Sequence, residues 1–354
     1  MSSKQKMTIQ EIADEAQVSK TTVSFFLNGK REKMSASTWN RIAKVVKKHD
    51  YRPSATARLM TAKHSCLLGV LIGDITHPFS NHLVKGIAQV CREGKYQVLI
   101  GTSEYEPDAE LNHIDRMIDM GVDGLILQPC GNPYISIEKL NRAGIPVVCI
   151  DSNPEGLPLW VVTNNYEATF DAITACIEHG YEQVILFSAE PHVLTSRHDR
   201  YQGCLDALKA KNIPCHIQIV DAHTPANEIL QTVEQHYHHG RTLVFVPNCW
   251  LLPNVFTALK PLHAQIPNQL GILGFDNEDW ASLSMPTVST IVQPAFQEGA
   301  TAAALLIDHI RERIENPPTV TLSCEVMWRD STALSYPVER AESNSSDSIL
   351  SIEG

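Results

Sequence analysis

The segment that most constrains the fold is AQVSKTTVSFFLN, which runs from Ala16 to Asn28. Ser19 lies where a helix needs an N-cap, because a serine hydroxyl can accept a hydrogen bond from a free backbone N–H of the first turn. Beyond it, Val23, Phe26 and Leu27 recur at three- and four-residue spacing, so they can share one face of a helix. The spacing predicts a short helix that starts after Ser19 and buries that face.

Another short helix is predicted just upstream, in TIQEIADEA. Thr8 can cap it, and Glu11 three residues later completes the capping-box pattern. Packing of the two helices leaves an outer face on the second, formed by Lys20, Thr21, Ser24 and Phe25. Such a pair is typical of a helix-turn-helix, whose second helix enters the major groove of DNA. The alternative is a surface helical hairpin without a partner.

A third helix can close a small core around these two helices. Ser35 can cap it, and its apolar face runs through Trp39, Ile42, Ala43 and Val46. Lysines fall on its outer side. Three helices of this length predict a compact N-terminal domain.

The segment YRPSATARLM, from Tyr51 to Met60, follows the third helix. Pro53 stops that helix, and a short basic helix can begin after it. Residues 1–64 hold 13 of the 29 Lys and Arg residues but only 5 of the 40 Asp and Glu residues, although the whole chain has a net charge of −11. Because this charge attracts DNA phosphates at one end of the protein, it favours DNA binding over a merely solvated cluster.

Short apolar runs, typical of buried parallel strands, alternate with helical segments along the rest of the chain. The predicted strands cover 67–73, 97–102, 124–129, 146–151, 184–188, 216–220, 242–248 and 270–276, with returning strands at 288–293 and 320–328. The predicted helices cover 80–94, 107–120, 136–143, 167–179, 201–211, 227–238 and 296–314. Two successive series of this kind predict an α/β fold with two doubly wound subdomains.

Several other classes of protein are disfavoured. No apolar run reaches the roughly 18 residues of a membrane helix, and the N-terminus lacks a signal-peptide core, so a cytoplasmic protein is expected rather than a periplasmic sugar-binding protein. Nine cysteines without a CxxC pair indicate reduced thiols. Since GxGxxG, GxxxxGK[ST], HExxH and GxSxG are all absent, no catalytic residues, metal site or cofactor are expected. A sugar-binding enzyme with an accessory headpiece is a remote alternative.

The segments IADEAQVSKTTVSFFLN and YRPSATARLM, together with motifs of the core, resemble the lactose-repressor (LacI/GalR) family of bacterial transcription regulators to about residue 336. The resemblance implies a DNA-binding headpiece with a hinge helix at 1–64 and an effector-binding, dimerising core of periplasmic-binding-protein type at 65–336. It assigns about 66–164 and 294–318 to an N-subdomain, and about 165–291 and 319–336 to a C-subdomain, with three crossovers. The Ser-rich tail 337–354 is expected to be disordered, and it lacks tetramerising leucine heptads, so a homodimer is expected.

The resemblance also implies which residues contact operator DNA. Lys20 and Thr21 occupy the two positions where the family contacts bases, and Ser24 is expected near a phosphate or base edge. The family commonly has Arg where this chain has Phe25, and Leu where Met60 would wedge into the minor groove. The predicted set is Thr8, Ser19, Lys20, Thr21, Thr22, Ser24, Phe25, Asn28, Tyr51, Ser54, Ala57, Arg58, Leu59 and Met60.

An effector site is predicted at the carboxyl ends of the core strands, where ligands bind in such sheets. DITHPFS is similar to a family loop in which Phe79 would stack on or cover a ligand, with His77 replacing the usual Asn. TSRHDRYQG places the family's effector-binding arginine at Arg200, and Arg197 adds a second cation. The other predicted contacts are Asn248, in VPNCW where Cys249 replaces the usual acid, and Asp276, in GFDNEDW. Each could instead be a strand-end group bonded to backbone.

The residue types at this site indicate a ligand class. Arginine suits a carboxylate, whereas Asp and Asn suit hydroxyl groups. SAEPHVLTSRHDR, and GFDNEDW followed by TIVQP, look like the family branch that responds to ketogluconate-type sugar acids. The expected effector is therefore a sugar acid such as 2-ketogluconate or 2-keto-3-deoxygluconate, whose binding relieves repression; a neutral sugar or nucleoside is the alternative. The expected partners are double-stranded operator DNA, this small molecule and a second copy of the chain, with no membrane.

Overall fold

The computed structural model describes residues 7–51, 64–130, 132–153, 159–237, 240–311 and 319–334. The chain divides into an N-terminal unit that ends at Ser65 and a second unit that begins at Cys66. We call them the headpiece and the core. The predicted hinge helix and the predicted tail lie outside the described residues.

Three α-helices lie in the described part of the headpiece: α1 (Ile9–Glu15), α2 (Lys20–Leu27) and α3 (Ala36–Lys48). Each has the predicted N-cap. Thr8 and Glu11 form the reciprocal capping box, and Ser35 accepts a hydrogen bond from the Thr38 N–H. The side chains that meet between the helices are Ile12, Ala13, Ala16, Val23, Ile42 and Val45, all buried. The predicted three-helix core is therefore present, although α3 buries Val45, which was not predicted, beside Ile42 and leaves Trp39, Ala43 and Val46 only partly buried.

The first sheet of the core contains six parallel strands. Their bounds are β1 (Leu67–Ile72), β2 (Gln97–Thr102), β3 (Gly124–Leu127), β4 (Val147–Ile150), β5 (Trp160–Thr163) and β11 (Val320–Leu322). They lie in the order β11-β5-β4-β3-β1-β2. The short strand β5 was not among the predicted strands, because four residues carry too little pattern to identify one.

The second sheet also has six strands. Their bounds are β6 (Gln183–Ser188), β7 (Cys215–Ile219), β8 (Thr242–Val246), β9 (Leu270–Phe275), β10 (Ser289–Val292) and β12 (Glu325–Met327). They lie in the order β12-β10-β9-β8-β6-β7, and all neighbours are parallel except β10 and β12. Two mainly parallel sheets confirm the predicted fold class.

Helices cover both sheets. Their bounds are α4 (Pro78–Gly94), α5 (Pro107–Asp119), α6 (Pro133–Arg142), α7 (Asn165–Glu178), α8 (Thr195–Lys211), α9 (Ala226–His236), α10 (Leu252–Ala258), α11 (Glu278–Ala281) and α12 (Ala295–Ile310). The chain reaches α12 from β10 of the second sheet, yet α12 packs against α4 of the first. Their backbones approach closely, since a Cβ on Gly299 would lie 2.1 Å from the Leu83 carbonyl oxygen. This contact returns the chain to the first subdomain, as the resemblance implies.

One assignment from the resemblance is wrong. It gives all of 319–336 to the C-subdomain, but β11 pairs with β5 of the first sheet, and only β12 joins the second. Ser323 and Cys324 alone separate these strands, so the segment 320–328, predicted as one returning strand, is divided between the two sheets. An extended segment is visible in a sequence, whereas the sheet that it joins depends on which edge strand lies within reach.

All nine cysteines lie in the described ranges and are free thiols, as predicted. Among the described residues, no helix is both long enough and apolar enough to cross a bilayer.

Candidate functional site

The predicted recognition surface of the headpiece lies on α2. Lys20 and Thr21 are exposed in its first turn, whereas Ser24 and Phe25 are partly buried one turn later. Ser19 has a capping role: its Oγ accepts from the Thr22 N–H at 3.1 Å. Cations and hydroxyl groups at the start of a helix suit phosphate oxygens and base edges.

The other residues predicted to contact DNA fall into two groups. Thr22 forms a hydrogen bond through its Oγ1 with Ser19, Asn28 donates from Nδ2 to the Ser24 carbonyl at 3.0 Å, and Tyr51 packs against the headpiece core. Thr8 belongs to the capping box of α1. The residues of the predicted hinge, namely Ser54, Ala57, Arg58, Leu59 and Met60, lie outside the described residues. Contact of any of these residues with DNA stays a prediction.

All six residues predicted to bind an effector line one cleft in the core. The cleft lies between the carboxyl ends of the strands of both sheets. The six are His77, Phe79, Arg197, Arg200, Asn248 and Asp276. Their convergence follows from the parallel strands, whose carboxyl ends meet at one edge of each sheet. The structure places the residues together, but it contains no ligand, so their role stays a prediction.

Arg200 connects three parts of the second subdomain. Its Nε donates to Asn165 Oδ1 at 2.7 Å, its Nη1 donates to the Pro247 carbonyl at 3.0 Å, and its guanidinium lies 3.8 Å from the centre of the Phe275 ring. The side chain is 6% exposed. Arg200 therefore supports the cleft wall besides presenting positive charge, and its bond to the Pro247 carbonyl is of the backbone kind that the sequence analysis kept as an alternative.

Asp276 and Asn248 are also held by the protein. Both carboxylate oxygens of Asp276 accept from Gln293, one from the backbone N–H at 2.9 Å and the other from Nε2 at 2.8 Å. Burial raises the pKa of Asp276, while Arg200 and the Gln293 donors lower it. Asn248 Oδ1 accepts from the Ala189 N–H at 2.8 Å. These bonds hold the polar groups in place at the strand ends.

Around His77, ring contacts form the opposite wall. The His77 Nε2 lies 3.1 Å from Asp74 Oδ2, and its Nδ1 lies 3.4 Å from the Tyr105 hydroxyl. Burial lowers the pKa of His77, with Asp74 acting in the opposite direction. A Cβ on Gly73 would lie 2.2 Å from the Tyr105 ring, so this glycine makes room for the tyrosine. Phe79 is 8% exposed and closes the wall from α4.

Arg197 differs from Arg200 in having little support. Its guanidinium lies over the Tyr105 ring, 4.9 Å from the ring centre, and the side chain is half-buried. Within the part of the chain that the structure describes, it has neither a hydrogen bond nor a carboxylate within 4.0 Å. It is a cation at the cleft, and no counter-ion among the described residues contacts it.

Sequence reasoning missed several residues that line the cleft. Gln128, Asp151 and Gln293 each follow directly or within one residue of an apolar strand, so the signal that identified Asp276 could have found them too. No comparable signal identifies Tyr105 in the sequence, because Tyr105 reaches the cleft from a turn, where its φ is 60°. The cleft can accept hydroxyl groups at its carboxylates and an anion at its arginines. Among the described residues, no group of His, Cys, Asp and Glu is arranged to hold a metal ion.

Comparison with known proteins adds independent information. Residues 8–54 match the model for bacterial regulatory proteins of the lacI family, and residues 68–313 match the periplasmic binding protein domain. The HTH-type transcriptional regulator KdgR of Bacillus subtilis is 27% identical over 329 residues, which are 92% of this chain and 97% of the relative.

The solved structures that resemble the chain include these two. One is a LacI family regulator of Enterococcus faecium with bound ribose, which is 25% identical with a TM-score of 0.67 and covers 75% of this chain and 98% of its own. The lac repressor dimer bound to operator has a TM-score of 0.78 over 93% of this chain and 99% of its own; at 18% identity, it supports the fold alone. With its recognition helix in the matched headpiece and its cleft in the matched core, the chain belongs to the LacI family of DNA-binding transcriptional regulators.

Proposed function

We propose that this protein is a repressor whose operator affinity is lowered by a small sugar acid bound in the core cleft. Operator binding uses the exposed start of α2, and the sugar acid places its carboxylate at Arg197 and Arg200 and its hydroxyl groups near Asp276 and Asn248. A ligand of this kind shifts DNA affinity only through its different affinities for the two protein states, typically by ~1–3 kcal/mol.

The observation that carries this proposal is the position of Arg197. Its guanidinium lies at the cleft over Tyr105, and no carboxylate of the described residues contacts it. Arg200, one turn away on α8, keeps its Nη2 free of hydrogen bonds to described residues. A carboxylate matches guanidinium geometry and would neutralise charge that the protein leaves uncompensated.

Cys249 supports the same choice of ligand. It lines the cleft where the family usually has an acid, and burial raises the pKa of its thiol to about 12. The thiol is therefore neutral at physiological pH. Because a neutral thiol replaces an acid, the cleft has one negative charge fewer and repels an anionic ligand less.

Titration calorimetry with 2-ketogluconate and with ribose tests the proposal. We expect heat from 2-ketogluconate, and we expect Arg197→Gln to weaken its binding by about one to two orders of magnitude, since a charged hydrogen bond contributes about 1.5–3 kcal/mol. Arg142→Gln is the matched control, because Arg142 is 76% exposed and pairs only with exposed Glu138 on α6. Heat from ribose with none from 2-ketogluconate or 2-keto-3-deoxygluconate would contradict the proposal.

A neutral sugar is the second candidate. The related structure from Enterococcus faecium holds ribose, and buried Asp151 and Asp276 offer acceptors for hydroxyl groups. For such a ligand, Arg197→Gln would change affinity no more than the Arg142→Gln control. The comparison of these two variants therefore separates the candidates.

Base preference should depend on Phe25. Arginine can donate two hydrogen bonds to guanine O6 and N7, whereas phenylalanine can only contact a thymine methyl group. We expect Phe25→Arg to shift preference toward G·C at one symmetric pair of operator positions, by roughly 1–3 kcal/mol. Selection from a randomised site measures this, and an unchanged preference would remove Phe25 from the interface.

An operator with symmetric half-sites is contacted by two copies of the protein. We propose that the protein acts in the cytoplasm as a homodimer, with one headpiece on each half-site, as operators of this kind require. Sedimentation equilibrium of the full chain measures the assembly, and a monomer at operator-binding concentrations would contradict it.

A further inference from the structure

Glu298, on α12, is an acid buried completely behind the effector cleft. Its exposed fraction is 0%, and its Oε1 accepts a hydrogen bond from the Asp151 N–H at 3.0 Å. Its Oε2 is buried and has no hydrogen-bond partner among the described residues. A buried carboxylate oxygen without a donor is costly when the group is ionised, so this side chain needs an explanation.

Asp151 is the neighbour of Glu298, and it too has one carboxylate oxygen without a hydrogen-bond donor. It follows β4, lines the cleft and is 6% exposed. Its Oδ2 accepts from Gln128 Nε2 at 2.8 Å, and Gln128 Oε1 in turn accepts from the Gly73 N–H at 2.8 Å. Its Oδ1 is buried without a partner in the described ranges. Two adjacent carboxyl groups thus each have one oxygen that lacks a donor.

The surrounding charges do not balance two ionised carboxylates. Arg200, Arg197 and Asp199 interact with the pair from α8, and Asp276 does so from the end of β9. The side chain that donates a hydrogen bond to Asp151, Gln128, is neutral, and so is the nearby Ser196 hydroxyl. Burial, followed by the charge of Asp151, raises the pKa of Glu298, and Arg200 opposes this only in part. Like charges held together in a low dielectric favour retention of one proton by the pair.

We propose that Asp151 and Glu298 share one proton at neutral pH and that this proton links the charge of the effector cleft to pH. The proton comes from solvent, and it converts one of the four carboxyl oxygens into an O–H donor. It leaves a single negative charge on the pair. Protonation of one group removes the cost of keeping its buried oxygen ionised without a donor, which fits the lack of a partner for these two oxygens.

Linkage gives the direction of the pH effect. The pair releases its proton on unfolding, so near neutral pH the folded protein binds more protons than the unfolded chain. The free energy of unfolding should therefore fall as pH rises through the pair's titration. A ligand carboxylate adds negative charge beside the pair, so its affinity should also fall with rising pH, by up to about tenfold per unit. This last step rests on the proposed function, whereas proton sharing does not.

Infrared difference spectroscopy on the full chain without ligand tests the pair directly. We expect the carbonyl band of a protonated carboxylic acid near neutral pH in the wild type and its loss in Glu298→Gln. Glu138→Gln, which changes an acid that is 64% exposed, is the matched control. Absence of the band in the wild type overturns the proposal. If Glu298→Gln does not fold, titration of the wild-type band with pH replaces that comparison, and a band unchanged up to alkaline pH overturns the proposed linkage.

Two further measurements distinguish the pair from the ligand proposal. Urea unfolding from about pH 5 to about pH 8 should show a loss of stability with rising pH that is smaller in Glu298→Gln; equal slopes overturn the linkage. Calorimetry with 2-ketogluconate in buffers of different ionisation heat should show proton uptake on binding in the wild type and less in the variant. Binding without proton uptake overturns the coupling to ligand charge, whereas silence with this ligand contradicts only the proposed function.

Discussion

Replacement of Ile42 by alanine is expected to abolish operator binding while the core still binds its effector. Ile42 is 0% exposed and packs among the helices of the headpiece with Ile12 and Val23. Loss of a buried isoleucine to alanine costs about 2–5 kcal/mol. A domain of this size has a total stability on the order of a few kcal/mol, so the headpiece should be largely unfolded.

Two measurements on one preparation check this prediction. Fluorescence anisotropy with a selected operator fragment should show no specific binding, while calorimetry should show wild-type effector affinity. Asn40→Ala is the matched control, because Asn40 is an exposed residue of the same helix, and it should leave the melting of the headpiece unchanged. If Ile42→Ala melts like the wild type, the buried core does not determine the stability of the headpiece.

Removal of Arg200 should have the second large effect, because this residue both supports the cleft and compensates its acids. The sequence alone predicts that Arg200→Ala loses the effector response with little effect on operator binding. The structure adds a cost: Asn165 Oδ1 and the Pro247 carbonyl lose their donor, and Asp276 loses its buried counter-charge. We expect the core to lose roughly 2–6 kcal/mol, since each of the two buried acceptors left without its donor costs about 1–3 kcal/mol.

The pH dependence identifies the electrostatic part of that loss. Arg200 lowers the pKa of Asp151, Asp276 and Glu298 against the effect of burial, so its removal raises these values further. A group with a raised carboxyl pKa loses stability as pH increases through that range. The deficit of Arg200→Ala relative to the wild type should therefore grow with rising pH and shrink toward acid.

Chemical denaturation across that range measures the deficit, with effector binding measured in parallel. The double variant Arg200→Ala with Glu298→Gln should be less destabilised than the sum of its parts, since the second change removes an acid that the first leaves uncompensated. A pH-independent deficit would mean that Arg200 acts through its hydrogen bonds and packing alone.

Local chemistry in the sequence was sufficient to predict the helices of the headpiece and many of the residues that line the cleft. Thr8, Ser19 and Ser35 cap their helices as predicted, because a cap and its first turn are neighbours in the chain. The six predicted cleft residues meet because each lies in a loop or helix that follows a parallel strand, and such strands present their carboxyl ends at a common edge.

Only the tertiary structure decided the features that depend on how the chain passes between the two sheets. The sheet joined by Val320–Leu322 was wrongly predicted, and Glu298 was not recognised, because it meets Asp151 across 147 positions of sequence. The same holds for the support that Asn165 and Pro247 give to Arg200. Periodicity and capping encode interactions within a few residues, whereas these contacts form only after the crossovers bring distant strand ends together.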